Sequence, residues 1–225
     1  MEAKGEFSKS KAYRVPIIIG IVMGISFFLP AGSLRYWQAW IYWLGTLAML
    51  MIFTTYFLKQ SPELLARRNR FKEKEPQKGS LRVLSFLSMV GFIIPGFDYR
   101  FHWSAVPVWV ILAANAVVLL GYVFIFSVFK ENSYASTIIQ VEQEQQMITS
   151  GPYAKVRHPM YLGLLLTLLF TPLALGSYWA LINFLLFIPV FIARIIKEEQ
   201  VLLRDLPGYK AYCSKTRYRL IPSIW

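Results

Sequence analysis

Charged residues are scarce in this chain of 225 amino acids, and the scarcity excludes an ordinary soluble domain. Lys, Arg, Asp and Glu together make up 16% of the sequence, whereas soluble domains carry about 25%. Hydrophobic residues reach 56%, above the roughly 45–50% of soluble domains. The length alone would suit one or two soluble domains, but this composition predicts a single membrane domain over residues 1–225.

Cysteine and histidine are also rare, which argues against a disulfide or a zinc centre. Cys213 is the only cysteine, so no disulfide can form within the chain. The two histidines, His102 and His158, fall in segments that we predict on opposite sides of a membrane, so a His/Cys zinc site is not expected. No G-x-G-x-x-G sequence follows a predicted strand and no βαβ unit is available, so any nucleoside cofactor needs another architecture.

Long apolar runs are what the sequence does contain. Six segments approach the roughly 20 apolar residues that cross a bilayer as a helix. The pattern predicts an all-α, multi-pass bundle that ends in a helical hairpin. N-terminal helices and a basic loop occupy residues 1–130, and the motif region occupies 131–225. The predicted spans are 14–33, 37–58, 82–97, 105–129, 159–175 and 178–195.

The positive charge is distributed as in a membrane protein. A net charge of +12 could indicate a nucleic-acid partner. However, only Arg35 and Arg100 of the 24 Lys and Arg residues lie on one side of the predicted spans. The other 22 lie on the opposite side, which the positive-inside rule assigns to the cytosol. We therefore predict cytosolic termini and no nucleic-acid partner, in either a plasma (inner) membrane or the endoplasmic reticulum. The basic segments are 1–14, 59–82, 130–157 and 194–225.

The connection 59–82 is the longest charged segment between predicted spans. Pro62 after a serine predicts the start of a short helix. With Arg70 and Phe71, this helix would be basic and amphipathic and would lie on the membrane surface. A solvated cytosolic loop explains the same composition equally well, and neither interpretation implies catalysis.

Two further local predictions concern chain breaks and an extended segment. Pro76 and Gly79 are expected to interrupt the chain before the third span. Residues 138–141 (Ile-Ile-Gln-Val) favour a short strand-like segment. Both lie on the predicted cytosolic side.

The run from Gly151 to Gly163 places a polar cluster at the edge of an apolar span. It reads GPYAKVRHPMYLG, and Pro159 within it suits the first turn of a membrane helix. Taken alone, Arg157 favours a positive-inside anchor and Gly163 favours close helix packing. Ionisable groups at a membrane boundary are expensive and usually functional. The whole string, which includes His158, is more specific than any of its members.

Three ionisable residues follow one apolar hairpin later. Arg194 and Glu198 are four residues apart and therefore share a helix face. A salt bridge of a few tenths of a kcal/mol would explain that pair, but it would not explain Glu199 as a second carboxylate. The pattern therefore predicts a ligand-binding role.

These blocks, R-H-P-x-Y-x-G at 157–163 and E-E-x-x-L at 198–202, resemble those of the isoprenylcysteine carboxyl methyltransferases and, more distantly, the membrane phospholipid methyltransferases. The resemblance is specific over roughly 131–225 and architectural before it. It implies S-adenosylmethionine as cofactor, in a pocket at the cytosolic face formed by the last helices and the C-terminal segment. It places the substrate carboxylate on Arg194, and cofactor contacts on Gln140, Gln145, Gln146, Met147, Ile148, Tyr153, His158, Pro159, Met160, Tyr161 and Glu198.

The reaction implied by the resemblance is methyl transfer to a carboxylate on a lipid-like or prenylated molecule that enters from the bilayer. Arg194 and Glu198 are the predicted catalytic pair. Arg194 would bind the acceptor carboxylate through two parallel hydrogen bonds, and Glu198 would accept hydrogen bonds from the cofactor. His158 would bind rather than act as a base. The tail 206–222 also resembles the family, either as an interfacial amphipathic segment or in direct contact with the site.

Three alternatives stay open at this point. A phospholipid N-methyltransferase would need a carboxylate as base, because its ammonium acceptor must first lose a proton; Arg194 favours the carboxylate acceptor. A sterol-reductase-like membrane enzyme would bind NADPH instead. A transporter or scaffold is disfavoured, because transporters place ionisable groups near the bilayer centre and no predicted span carries one there.

Overall fold

The computed structural model describes residues 9–68, 75–135, 139–141 and 145–225. Arg70 and Phe71, expected on a basic amphipathic helix, lie outside these ranges, as does Ile138 of the predicted strand-like segment. Residues 139–141 are irregular. The helices are α1 (Lys9–Ala31), α2 (Trp37–Gln60), α3 (Pro62–Arg68), α4 (Glu75–Phe101), α5 (Val108–Glu131), α6 (Pro159–Ala174), α7 (Trp179–Leu185), α8 (Phe187–Asp205) and α9 (Tyr209–Lys215), with a 3₁₀ turn at Gly151–Ala154.

The helices confirm the predicted all-α membrane bundle. Within the described residues, five stretches are long and apolar enough to cross a bilayer; they lie in α1, α2, α4 and α5, and in α7 together with α8. The remaining predicted span is α6, an apolar helix of 16 residues. At 1.5 Å per residue it is roughly 24 Å long, shorter than a hydrocarbon core of about 30 Å. Alone, α6 is therefore too short to cross that core without its flanking segments.

The second arm of the last hairpin is interrupted by a break that the sequence did not predict. Leu186 separates α7 from α8, because Pro189 has no N–H to bond to the carbonyl of Leu185. Beyond this break, α8 continues past the predicted span, which ends at 195, to Asp205, so Arg194 and Glu198 lie on one helix as predicted. The predicted site residues on α8 therefore share one continuous helix.

The predicted break at Pro76 and Gly79 is wrong, since α4 begins at Glu75 and runs through both residues. Pro76 lies in the first turn, where its missing N–H has no helical partner. Gly79 is exposed, with no neighbouring atom within 4 Å of the position of a Cβ. By contrast, the predicted helix start at Pro62 is confirmed by α3.

Close contact between α5 and α6 fixes the position of the motif helix. A Cβ at Gly163 would meet Ile125 Cγ1 at 2.5 Å, and a Cβ at Gly121 would meet Thr167 Cγ2 at 2.7 Å. Both glycines thus allow the backbones to approach, as small residues do in membrane bundles. The glycine of the R-H-P-x-Y-x-G block serves helix packing.

The far end of α6 is closed by a turn that draws three segments together. Gly176 has a φ of 74°, and the N–H groups of Gly176 and Ser177 bond to carbonyls in the last turn of α6 at 3.0 and 2.8 Å, a Schellman arrangement. The Ser177 hydroxyl donates to Asp98, which also accepts from the N–H and hydroxyl of Ser104, each at 2.7 Å. We call Asp98, Ser104 and Ser177 the Asp98 cluster.

Candidate active site

A cavity lies at the opposite end of α6, around its amino terminus. It is an open cleft of about 640 Å³, including the solvent space at its mouth. Its walls come from the end of α5, the segment before the 3₁₀ turn, the first turn of α6, and the α8–α9 region. The lining residues are Asn132, Ala135, Gln145, Gln146, Met147, Ile148, Tyr153, Arg157, His158, Pro159, Met160, Tyr161, Glu198, Leu202, Leu206, Tyr209 and Tyr212.

Glu199 joins three basic side chains beside this first cavity. Its Oε1 lies 3.3 Å from His158 Nε2 and 2.8 Å from Arg157 Nε, and its Oε2 accepts from Arg219 Nε at 2.8 Å. The Arg157 Nε–H is not directed at an acceptor, so that contact is an ion pair rather than a hydrogen bond. We call Glu199, His158, Arg157 and Arg219 the Glu199 cluster. The Arg157 side chain is only 8% exposed within this cluster.

The C-terminal segment pairs with the motif through its backbone. The N–H of Arg157 donates to the carbonyl of Tyr218 at 2.9 Å, and the N–H of His158 donates to that of Arg219 at 2.8 Å. The Arg219 guanidinium also lies over the ring of Trp225, 5.3 Å from its centroid. The tail is therefore part of the scaffold of the site.

Glu198 stands between the first cavity and a second one. Its Oε2 accepts from the Tyr161 hydroxyl at 2.8 Å, and its Oε1 lies 4.0 Å from His158 Nδ1. The second cavity contains about 480 Å³ of empty space and includes Gln140 and Arg194 in its wall. The residues that line both cavities are Asn132, Ala135, Gln145, Tyr161, Glu198 and Leu202.

Arg194 forms the buried side of the second cavity. Only 5% of its surface is exposed, and its Nη1 donates to the hydroxyl of Ser80 in α4 at 3.0 Å. It also hydrogen-bonds with Tyr161. Contacts to two other helices hold the guanidinium in one orientation at the cavity wall.

Three tyrosines give the first cavity an aromatic wall. Burial raises the pKa of Tyr153 well above its usual range, against the lowering effect of its hydrogen bond from Asn132. Burial likewise raises the pKa of Tyr209, and that of Tyr212 to about 12. These phenols stay neutral at physiological pH and can bind a ligand without acting as bases. The Tyr209 hydroxyl is buried with no hydrogen-bond partner in the described part of the chain, so it can serve a polar atom of a ligand.

The structure brings the residues predicted from sequence into this region. Ten of the eleven predicted cofactor residues line the first cavity, and the eleventh, Gln140, lines the second beside Arg194. Direct contact of the tail with the site was one of two alternatives from sequence, and Leu206, Tyr209 and Tyr212 do line the first cavity. Sequence reasoning did not assign Leu202 to the site. The spacing of four from Glu198 to Leu202 to Leu206 was the available signal, because it repeats one helix face.

The comparisons with known proteins agree with this geometry. Residues 109–206 match the family of phospholipid methyltransferases, and this stretch holds α6, most of the first cavity, Arg194 and both carboxylates of α8. Over this stretch, the chain is similar to the membrane phospholipid methyltransferases. No curated protein matches its sequence at a significant level.

The fold also has a solved counterpart. It is similar to the eukaryotic intramembrane Ras methyltransferase, an isoprenylcysteine carboxyl methyltransferase, with a TM-score of 0.56 and 18% sequence identity. The likeness covers 95% of this chain and 77% of the other. It concerns the fold and extends over the N-terminal helices, which lie outside the matched family region.

Proposed function

We propose that this methyltransferase uses S-adenosylmethionine to methylate a carboxylate on a lipophilic molecule, at the cytosolic face of its membrane. The observation that carries the proposal is the pair of adjoining cavities. One gathers ten expected cofactor residues, the other contains Arg194, and Glu198 and Tyr161 border both.

The first cavity fits this cofactor by its chemistry. Glu198 and His158 supply acceptors for an ammonium group, and the buried Tyr209 hydroxyl is available to a further polar atom. Met147 and Leu206 supply apolar surface for a base. When bound, S-adenosylmethionine supplies an electrophilic methyl group together with its leaving group.

Because the methyl donor carries its leaving group, a carboxylate acceptor needs alignment and desolvation rather than a base. Arg194 supplies the alignment in this proposal, since a guanidinium can hold a carboxylate with two parallel hydrogen bonds. Its position at the wall is fixed by Ser80 and Tyr161. Positioning of this kind is worth roughly 7–11 kcal/mol of a reaction barrier.

The cofactor assignment is tested by binding of labelled S-adenosylmethionine to the purified protein, with NADPH as the competing ligand. We expect His158→Ala and Glu198→Gln to raise the Kd for S-adenosylmethionine roughly ten- to hundredfold, because a hydrogen bond to a charged group is worth about 1.5–3 kcal/mol. Glu63→Gln, at an exposed position on α3, is the matched control. Unchanged affinity in both site variants, or binding of NADPH instead, would refute the assignment.

A phospholipid acceptor is the second candidate, favoured by the family match over 109–206. Its amine would need Glu198 as base, and the two-pronged grip of Arg194 would have no role. Arg194→Lys keeps the charge but loses that geometry. We expect this variant to lose most transfer to a farnesylated cysteine while its cofactor Kd stays near that of the parent. Near-normal turnover would rule out binding of the acceptor carboxylate by Arg194. Methylation of phosphatidylethanolamine vesicles would then support the phospholipid acceptor.

The proposed orientation puts both cavities in the cytosol, where a soluble nucleoside cofactor is available. The basic side of the bundle carries α3, the amino terminus of α6 and the C-terminal segment. A reporter fused after Trp225 should be cytosolic. In a Cys213→Ser background, Leu34→Cys, at a residue 70% exposed between α1 and α2, should react with an impermeant maleimide from outside. The opposite result at both positions would invert the topology.

A further inference from the structure

His158 is held between the two carboxylates of α8. Its side chain is 3% exposed, and its two ring nitrogens face different acidic residues. Nε2 lies 3.3 Å from Glu199 Oε1, and Nδ1 lies 4.0 Å from Glu198 Oε1. One nitrogen therefore contacts the Glu199 cluster, and the other faces the carboxylate at the wall of the first cavity.

The closer contact determines which nitrogen carries the proton. A neutral imidazole has one N–H and one lone pair, and an ionised carboxylate can only accept. The contact with Glu199 therefore requires Nε2–H, which leaves the lone pair on Nδ1. Glu199 also contacts the guanidiniums of Arg157 and Arg219, so two neighbouring cations compensate its charge.

This tautomer leaves two acceptors, His158 Nδ1 and Glu198 Oε1, facing each other at 4.0 Å. They cannot bond to each other, but an ammonium group beside them has three N–H donors and can reach both. We propose that Glu199 is a positioning residue that fixes His158 as the Nε2–H tautomer, so that His158 and Glu198 together bind the ammonium group of the cofactor. This inference rests on the proposed use of S-adenosylmethionine.

Replacing Glu199 with Gln tests the role with little change of shape. The carboxylate contacts Arg157 and His158 through one oxygen and Arg219 through the other. A glutamine has a single acceptor oxygen and an NH₂ group that only donates. It can serve Arg219 or the other two residues, but not all three. If its NH₂ turns toward His158, it favours a lone pair on Nε2 and hence the opposite tautomer.

The chain allows a direct measurement, because it contains only two histidines. His102 lies outside both cavities of the site and has a φ of 54°, a conformation that asparagine tolerates better than most residues. His102→Asn therefore leaves His158 as the single imidazole. ¹⁵N spectra of this variant, labelled at histidine and purified in detergent, report the tautomer before any cofactor is added.

We expect the Nε2–H tautomer in His102→Asn, and a mixed or inverted population in His102→Asn/Glu199→Gln. In the latter, the Kd for S-adenosylmethionine should rise roughly tenfold, the lower end of the effect of losing a residue that orients a metal-bound histidine. Turnover at saturating cofactor should stay within about twofold, because the reacting groups are untouched.

An Nδ1–H or doubly protonated His158 in the His102→Asn protein would overturn the inference, whether or not the Glu199 variant folds. So would an unchanged tautomer and Kd in a folded Glu199→Gln variant. Failure of the His102→Asn protein to bind S-adenosylmethionine at all would instead refute the proposed function. The tautomer and the cofactor affinity are measured separately. Failure of the inference can therefore be distinguished from failure of the proposed function.

Discussion

A buried acidic residue lies near each end of α6: Asp98 of α4 at one end and Glu199 of α8 at the other. The two residues have different kinds of partner. Asp98 is 1% exposed, and its described partners are the hydroxyls of Ser104 and Ser177 and one backbone N–H. Glu199 is 6% exposed and contacts two guanidiniums and an imidazole. The neutral donors around Asp98 are sufficient where helices only pack together. The charged partners of Glu199 lie beside the cavity that we assign to a charged cofactor.

The two clusters also differ in the elements that they connect. The Asp98 cluster joins the end of α4, the loop before α5 and the α6–α7 turn, which are neighbours at one end of the bundle. The Glu199 cluster joins α6 and α8 to the C-terminal segment, whose backbone pairs with Arg157 and His158. The first arrangement stabilises the bundle, and the second also assembles a site. Substitutions at the two ends should therefore affect different measurements.

The largest expected effect is on stability, at Asp98. Asp98→Ala leaves the hydroxyl of the fully buried Ser177 and the donors of Ser104 without their acceptor. Each unsatisfied buried group costs about 1–3 kcal/mol, so we expect a loss of about 3 kcal/mol in the free energy of unfolding in mixed micelles. The Kd for S-adenosylmethionine should not change.

Asp98→Asn is the graded control, because it keeps one acceptor oxygen and should be less destabilising. A stable Asp98→Ala protein with weakened cofactor binding would contradict the separate roles that we assign to the Asp98 cluster and the Glu199 cluster. It would connect the Asp98 cluster to the site through α6.

The second effect lies in the middle of α6, between the two clusters. In Gly163→Ala the new methyl group would meet the stiff side chain of Ile125 at 2.5 Å, and overpacking of this kind costs about 1–3 kcal/mol. Gly79→Ala, with no atom within 4 Å, should instead gain about 0.5–1 kcal/mol from a better helix former. A thermal unfolding series would measure both.

The cofactor Kd of Gly163→Ala distinguishes packing from a binding role of the motif glycine. We expect affinity close to that of the parent in the folded fraction. Lost affinity at normal stability would mean that the glycine admits a ligand.

These comparisons also indicate which parts of the molecule are predictable from sequence. The spans follow from apolar runs, since the bilayer imposes both length and composition. The site residues on α6 and α8 followed from a family resemblance of two short blocks. Periodicity alone would have supported only a salt bridge between Arg194 and Glu198.

Other features depend on contacts that no local pattern reports. The Asp98 cluster consists of ordinary serines and one aspartate that approach each other only in the folded bundle. The pairing of Arg157 with Tyr218 links residues far apart in the chain. The error at Pro76 has a local cause, because a proline that ends one helix can equally begin the next.

The smallest expected effect concerns Arg219, the most exposed member of the Glu199 cluster at 36% of its side chain. Arg219→Lys keeps a positive charge near Glu199 but loses the directed Nε–H bond and the planar contact with Trp225. Solvent weakens such a half-exposed pair, so unfolding should change little. Because Glu199 orients His158, the cofactor Kd should rise by roughly two- to fivefold, less than for Glu199→Gln.

Arg217→Lys, an exposed position in the same segment, is the matched control and should leave the Kd unchanged. Equal effects of the two lysines would show that the tail acts only through its backbone pairing, and that Arg157 alone compensates the charge of Glu199.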